Sequence, residues 1–181
     1  VHLGLSSTLS HNDRTIDEDG TFSDIDKETL YGAEFALGLK SLSLQGEYII
    51  NDTVYSDDNS GTIAHTANYE SYYVQASYFL TGEVRKYNAK SGTFKGVKVK
   101  NKFGKGGSGA FELAVRVSQD DKNDYDNSII IIGGKTNQTT LGVNWYLNNN
   151  ARLMANYINS RVDKQSENDD EKYDAFMVRA Q

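Results

Sequence analysis

The chain has 181 residues, enough for one domain of ordinary size, and it carries a net charge of −6. Only 38% of the residues are hydrophobic, and no apolar run approaches the roughly 18 residues of a membrane helix, which excludes a helical membrane protein. The absence of Cys excludes disulfides, thiolate catalysis and Cys-ligated metals, and the negative charge gives no reason to expect a nucleic-acid partner.

Alternation of apolar and polar residues predicts that the chain is built from β-strands. Phe111, Leu113 and Val115 alternate with Glu112 and Arg116, for example. A period of two places successive side chains on opposite faces of a strand. The pattern predicts eight strands, at about residues 1–10, 31–40, 42–50, 70–80, 109–118, 139–147, 152–160 and 173–181.

Two kinds of connection separate these predicted strands. Those at 40–41 and 148–151 are very short, and the second is rich in Asn, which tolerates the left-handed conformations of tight turns. Four others are long and acidic, at about 11–30, 51–69, 119–138 and 161–172. Short periplasmic turns and long outer loops are typical of bacterial outer-membrane barrels. We therefore predict that the short turns, and with them the connection at 81–108, face the periplasm.

The composition of the two strand faces favours a barrel in a membrane. The face opposite the apolar one carries charged and amide side chains, which suggests a wet interior: Glu34, Glu47, Glu112, Arg116, Asn144, Asn156 and Arg179. Aromatic residues gather near the predicted strand ends, as in the girdles of such barrels: Phe79, Phe111, Trp145 and Tyr146 at one end, and Tyr31, Tyr48, Tyr72, Tyr157 and Tyr173 at the other. We predict an all-β, antiparallel up-and-down transmembrane β-barrel. A soluble β-sandwich has the same alternation, but the aromatic placement and the acidic connections disfavour it.

The connection at 81–108 is strongly basic. It holds eight Lys or Arg residues and one acid, Glu83, for a net charge of +7 in a chain of −6. One interpretation is a solvated hairpin in the periplasm, because runs of charge are usually solvated. The other is a segment folded into a pore, where clustered cations would attract anions.

No arrangement of residues points to catalysis or to a metal site. His2, His11 and His65 share no metal-ligand spacing. The Gly-rich stretch at 104–109 lacks the Lys-Ser/Thr pair and the following helix of a phosphate-binding loop. We expect no enzyme activity, no cofactor and no metal. The acidic connections are interpreted as solvated surface.

Six segments in this order resemble the phosphate-selective porin O and P family: 78–87, 91–94, 109–118, 140–148, 151–157 and 173–181. The Thr81-Gly82-Glu83 block, the block that begins Gly109-Ala110 and the Asn144-Trp145-Tyr146 block are the most specific when taken together. The resemblance covers most of residues 31–181 and is clearest from residue 70 onward.

Some positions depart from the family pattern. The family has Trp at the position of Phe111, Tyr at that of Val117 and a Pro near 98–100. Its last strand ends in an aromatic residue, which is missing after Gln181. The family barrel has about sixteen strands, so the resemblance implies the C-terminal half of a larger porin, cut at both ends, with 1–181 as a single domain.

The resemblance implies a passive diffusion channel for small anions such as phosphate in the outer membrane of a Gram-negative bacterium. In this family, inward-folding segments narrow the pore and present basic residues to anions. The candidate pore-lining, anion-binding residues are Arg85, Lys86, Lys95, Lys98, Lys100, Lys102, Arg116, Arg152 and Arg179. Expected partners are outer-membrane lipid, lipopolysaccharide, small anions and two further copies in a homotrimer. The alternative is a self-contained eight-stranded barrel with a structural or adhesive role.

Overall fold

Long antiparallel strands make up most of the chain in its computed structural model, which describes residues 2–10, 13–16, 22–57, 63–88, 90–104, 106–126, 129–164 and 170–181. Within these ranges no helix is long and apolar enough to cross a membrane. The strands of the described ranges are β1 (His2–Ser10), β2 (Asp13–Ile16), β3 (Phe22–Leu39), β4 (Leu42–Asp57), β5 (Ile63–Phe79), β6 (Tyr87–Asn88), β7 (Thr93–Phe94), β8 (Ala110–Asp126), β9 (Ile129–Tyr146), β10 (Arg152–Asp163) and β11 (Glu171–Ala180).

One antiparallel sheet has the spatial order β1-β3-β4-β5-β8-β9-β10-β11, with β2 paired to β3. Each of its strands lies beside its neighbour in the chain, apart from the short β2 and the β6–β7 hairpin. The predicted all-β, antiparallel, up-and-down organisation is confirmed. In the described residues the sheet is open, with β1 and β11 at its two edges.

Three of the four acidic segments, 11–30, 51–69 and 119–138, are mostly strand, so their prediction as connections is wrong. β3 begins at Phe22 rather than near residue 31, and β4 continues to Asp57. β8 and β9 continue through most of 119–138. Backbone hydrogen bonds form the ladder whatever the side chains are, whereas apolar alternation marks only the part of a strand with an apolar face. The short strands β2, β6 and β7 were not predicted, and residues 17–21, 58–62 and 165–169 lie outside the described residues.

Both predicted short turns are observed. Lys40 and Ser41 join β3 to β4, and Lys40 has a φ of 54°, in the left-handed region. At 148–151 the side chain of Asn148 accepts hydrogen bonds from the backbone N–H groups of Asn150 and Ala151, at 2.8 and 3.0 Å. This asparagine turn satisfies backbone donors that would otherwise have no partner.

Strand register places the apolar side chains on one face, called here the outer face. Leu44 pairs with Ala76, Ala76 with Val115 and Val115 with Leu141. Other outer-face residues of the same band are Leu37, Leu42, Val74, Tyr78, Leu113, Val117, Val143, Leu153, Tyr157, Phe176 and Val178. Many of these side chains are exposed, as expected of a surface whose contact is lipid rather than protein.

Aromatic residues mark both limits of the outer apolar band, but three of the predicted girdle residues, Phe79, Tyr146 and Tyr173, lie on the opposite face. Phe111 and Trp145 stack with ring centroids 5.7 Å apart at the short-turn end, and Tyr48 pairs with Tyr72 toward the other end. Phe79 and Tyr146 are buried on the opposite face. Phe79 is the last residue of β5, and Tyr146 is the last residue of β9. Closeness to a strand end does not determine on which face a side chain lies; the parity of its position does.

Candidate functional site

The polar face of the sheet, called here the inner face, carries the candidate site. One row across it consists of Gln45, Gln75, Arg116 and Thr140, which are successive cross-strand partners. The next row toward the short turns is made of small residues: Gly38, Ser43, Ser77, Ala114 and Gly142. Small side chains leave room for other parts of the chain above this row.

The basic connection 81–108 lies against this inner face over part of its length. A Cβ built on Gly38 would lie 3.7 Å from the carbonyl oxygen of Arg85 and 3.9 Å from the ring of Phe94. The β6–β7 hairpin also approaches Glu34 on β3, because a Cβ built on Gly92 would lie 3.9 Å from the hydroxyl of Tyr87 and 4.0 Å from a carboxylate oxygen of Glu34. The connection therefore reaches from β8 back across the sheet to β3.

A small hydrophobic cluster holds the connection in place. Val97 and Val99 are buried with Phe79, Ala110 and Tyr146, which belong to or flank the sheet strands. In addition to this packing, the backbone N–H of Val99 donates a 3.0 Å hydrogen bond to the side chain of Asn149. The connection thus has its own buried side chains and is not an extended solvated hairpin.

The last part of the connection passes the strand ends toward the outer face. Phe103 contacts Trp145 edge to face, with centroids 5.0 Å apart, and its N–H donates to the carbonyl oxygen of Leu147. The indole N–H of Trp145 donates to the carbonyl oxygen of Ser108 at 2.8 Å. Gly109, with a φ of 81°, then enters β8, and a Cβ there would lie 2.5 Å from the carbonyl oxygen of Tyr146.

Three arginines line one inner-face cavity, called here the arginine cavity, of about 230 Å³. Arg85 comes from the connection, Arg116 from β8 and Arg152 from β10. The polar residues around them are Gln75, Ser77, Glu112, Thr140, Asn144, Tyr146 and Asn156. Amide, hydroxyl and guanidinium donors around a cavity are the chemistry that binds oxyanions.

The three arginines differ in how far they are already paired. Arg85 donates to both oxygens of the Glu112 carboxylate, at 2.8 and 2.9 Å. Arg152 donates to the side chain of Gln181 and lies near the ring of Tyr146. Arg116 makes no ion pair with any described residue. Its guanidinium carbon lies 4.0 Å from the ring centroid of Tyr73, a cation–π contact that leaves its N–H donors available.

The predicted lysines do not enter the arginine cavity. Lys86, Lys95, Lys98 and Lys102 are exposed on the connection and form no ion pair with the described residues. The ammonium group of Lys100 donates a 2.5 Å hydrogen bond to the carbonyl oxygen of Gly82, so this residue stabilises the connection itself.

Arg179 lies apart from the other predicted arginines. It is exposed on the edge strand β11, opposite Met154, and does not line the arginine cavity. The structure therefore brings together three of the nine predicted site residues.

Sequence reasoning missed the uncharged members of the cavity. Gln75 and Thr140 lie beside Arg116 in one row, but their alignment depends on strand pairing rather than on spacing along one strand. The alternation pattern did place Gln75, Thr140, Asn144 and Asn156 on the inner face, but it did not identify them as site residues. Among the described residues, no group of three or more His, Asp or Glu side chains is placed to hold a metal ion.

Comparison with known proteins places the chain among porins. The model of the family described as phosphate-selective porin O and P matches residues 6–181. Porin O of Pseudomonas aeruginosa is 32% identical over 168 residues, which are 90% of this chain and 36% of that protein. The chain thus spans little more than a third of the length of this relative. With the inward basic connection and the two-faced antiparallel sheet, these matches show that the chain belongs to the phosphate-selective porin O and P family, whose members are outer-membrane porins.

Proposed function

We propose that this chain is part of an outer-membrane channel through which small anions such as phosphate diffuse passively. The observation that carries the proposal is the arginine cavity on the inner face, above which the basic connection lies. A channel performs no reaction. Its selectivity comes from the charges and donors along the pore, and its sites must be weak enough for ions to leave.

Arg116 is the arginine best suited to contact a passing anion. It is exposed toward the inner face, has no acidic partner among the described residues and is flanked by the hydrogen-bonding side chains of Gln75 and Thr140. The exposed lysines at 86, 95, 98 and 102 add positive potential, which raises the local anion concentration. Together they compensate for the acidic residues elsewhere in the chain.

We propose that the sheet is about half of a sixteen-stranded barrel. Within the described residues, each edge strand has unpaired backbone groups along one side, and lipid cannot satisfy them. Further strands of the complete porin would pair with β1 and β11. The 36% share of Porin O that the match covers favours this large barrel over the self-contained eight-stranded alternative.

The arrangement in the membrane follows from the same proposal. The turns at 40–41 and 148–151 and the connection would face the periplasm, and the acidic strand ends would face the exterior. The outer face would contact lipid and lipopolysaccharide. A homotrimer is proposed from the family resemblance alone.

The test is ion selectivity of the complete porin in planar bilayers. Under a KCl gradient we expect a reversal potential of anion-selective sign, and phosphate should reduce the chloride current. Arg116→Glu should shift the reversal potential toward cations. Lys172→Glu is the matched control, because it makes the same charge change on the outer face of β11. Cation selectivity of the unchanged porin would refute the proposal.

A further inference from the structure

Glu112 is a buried carboxylate on the inner face of the sheet. Its side chain is 1% exposed, and it accepts four hydrogen bonds: two from Arg85, one from the hydroxyl of Tyr146 and one from the amide of Asn144. All four are 2.8 or 2.9 Å long. An ionised carboxylate is retained in such a buried place only when it is paired and hydrogen-bonded.

Only one of these partners belongs to the connection. Tyr146 and Asn144 lie on β9, next to Glu112 on β8, and are held by the sheet itself. Arg85 reaches the carboxylate from the connection, 27 residues earlier in the chain. The sheet therefore holds a buried negative charge, which the guanidinium group of Arg85 on the connection neutralises.

Arg85 is tied to this site through one nitrogen, while its buried Nε has no hydrogen-bond partner among the described residues. A single terminal nitrogen, Nη2, makes the contacts to both carboxylate oxygens and to the hydroxyl of Tyr146. The guanidinium carbon also lies 5.7 Å from the ring centroid of Phe79. Its side chain is 22% exposed, and its charge is neutralised by Glu112 at 2.8 Å. Such a paired cation adds little to the attraction of an anion.

A second buried carboxylate braces the same segment. Glu83, 1% exposed, accepts hydrogen bonds from the hydroxyl of Thr81 and from the backbone N–H of Lys100. It ties the two arms of the connection to each other, whereas Glu112 ties the connection to the barrel wall. The exposed lysines at 86, 95, 98 and 102 lie between or beside the segments that Arg85 and Glu83 hold in place.

We infer that Arg85 and Glu112 are positioning residues for the anion path: their ion pair docks the connection on the inner face and so fixes where its exposed lysines lie. The inference rests on the proposed function and deepens it. It also removes Arg85 from the set of anion ligands. Arg116 and Arg152 then remain as the arginines of the cavity whose charge is not neutralised by a carboxylate among the described residues.

The sign of one substitution separates positioning from a direct effect of charge. Glu112→Gln removes a negative charge from the inner face, so a purely electrostatic role predicts tighter phosphate block of the complete porin. Positioning predicts the reverse, because the connection loses its charged anchor. We expect half-maximal block to require roughly tenfold more phosphate, which corresponds to a loss of about 1.4 kcal/mol of binding.

The matched control is Glu47→Gln. Glu47 also lies on the inner face, on β4, but it makes no described contact with the connection. Removing its charge should leave phosphate block unchanged or tighten it. Opposite effects of the two neutralisations are the result expected here, and tighter or unchanged block in Glu112→Gln would overturn the inference.

A milder variant covers the case in which Glu112→Gln does not fold. Tyr146→Phe removes one hydrogen bond to Glu112, one from Arg85 and a longer one, 3.4 Å, from Arg152, while it leaves every charge in place. It should weaken phosphate block, and an unchanged block would count against positioning. Heat-modifiable migration in gel electrophoresis reports whether each variant folds.

Limited trypsin cleavage provides a readout that does not depend on ion selectivity. In the unchanged porin, docking should protect the bonds after Lys86 and Lys95, and Glu112→Gln should make them sensitive. If the unchanged porin proves not to be anion-selective, the proposed function fails but the cleavage result still decides whether the pair positions the connection. Equal cleavage of both proteins would refute the inference.

Discussion

At the scale of single residues, close packing on the outer face of the sheet depends on a glycine, which has no side chain. On the outer face the ring of Phe35 lies over Gly46, its cross-strand partner. A Cβ at Gly46 would lie 2.6 Å from that ring and 2.9 Å from the carbonyl oxygen of Tyr73. The glycine thus lets an aromatic side chain lie flat along the outer apolar band.

We expect Gly46→Ala to destabilise the complete porin by about 1–3 kcal/mol, because the added methyl group must displace the Phe35 ring or the backbone of β5. Urea unfolding in lipid vesicles measures this difference. Gly96→Ala is the control, since a Cβ there meets no atom within 4 Å. It should change the free energy of unfolding by less than about 0.5 kcal/mol. Equal effects of the two substitutions would contradict this account of Gly46.

At the scale of elements, the connection 81–108 is unlike the tight turns at 40–41 and 148–151. The turn at 40–41 only reverses the chain, whereas this connection contains a hairpin, the buried carboxylate of Glu83 and two buried valines. Val97, Val99 and Glu83 are buried, and most of its lysines remain exposed. The buried residues hold the connection in place, so its exposed lysines put positive charge at a fixed location.

Replacing Lys86, Lys95, Lys98 and Lys102 together by Glu should move the reversal potential of the complete porin toward cation selectivity. The shift should be large at 0.1 M salt, where the Debye length is about 10 Å, and small at 1 M, where it is about 3 Å. Single-channel recordings at both concentrations measure it. If selectivity does not change at low salt, these lysines do not line the path, and the arginine cavity alone must select anions.

At the scale of the whole molecule, the described sheet is incomplete as a membrane-spanning structure. Its outer face is apolar and its inner face polar, as a pore wall requires, but β1 and β11 each pair on one side only within the described residues. Exposed strand edges template aggregation in water and are costly in lipid. In the proposed sixteen-stranded barrel, further strands would pair with these two edges.

Expressed alone, the 181-residue chain should not form a heat-resistant barrel in detergent, because its edge strands have no partners. The complete porin, refolded under the same conditions, should migrate as a heat-modifiable species and provides the positive control. Gel electrophoresis with and without heating makes the comparison. A folded, heat-modifiable monomer of the isolated chain would instead support the eight-stranded barrel.

The alternation along each strand was sufficient to predict the two faces and the all-β class. A strand has only two faces, so the placement of Leu44 or Gln75 follows from the parity of its position. The apolar band also located the middle of each long strand. It could not locate the ends, because the segments around Asp52 and Asp120 pair through their backbones while their side chains are polar on both faces.

Local patterns along the chain were enough to predict the alternating faces, the two tight turns and the concentration of positive charge at 81–108. An ordered set of motifs was enough to indicate the resemblance to a porin family. The folded structure was needed to find that the connection folds back against the inner face, that Glu112 neutralises Arg85 and that Arg116 keeps its donors available. These contacts join residues far apart in the chain. Their partners depend on strand register and on a buried carboxylate that requires a cation, which no spacing along one strand reveals.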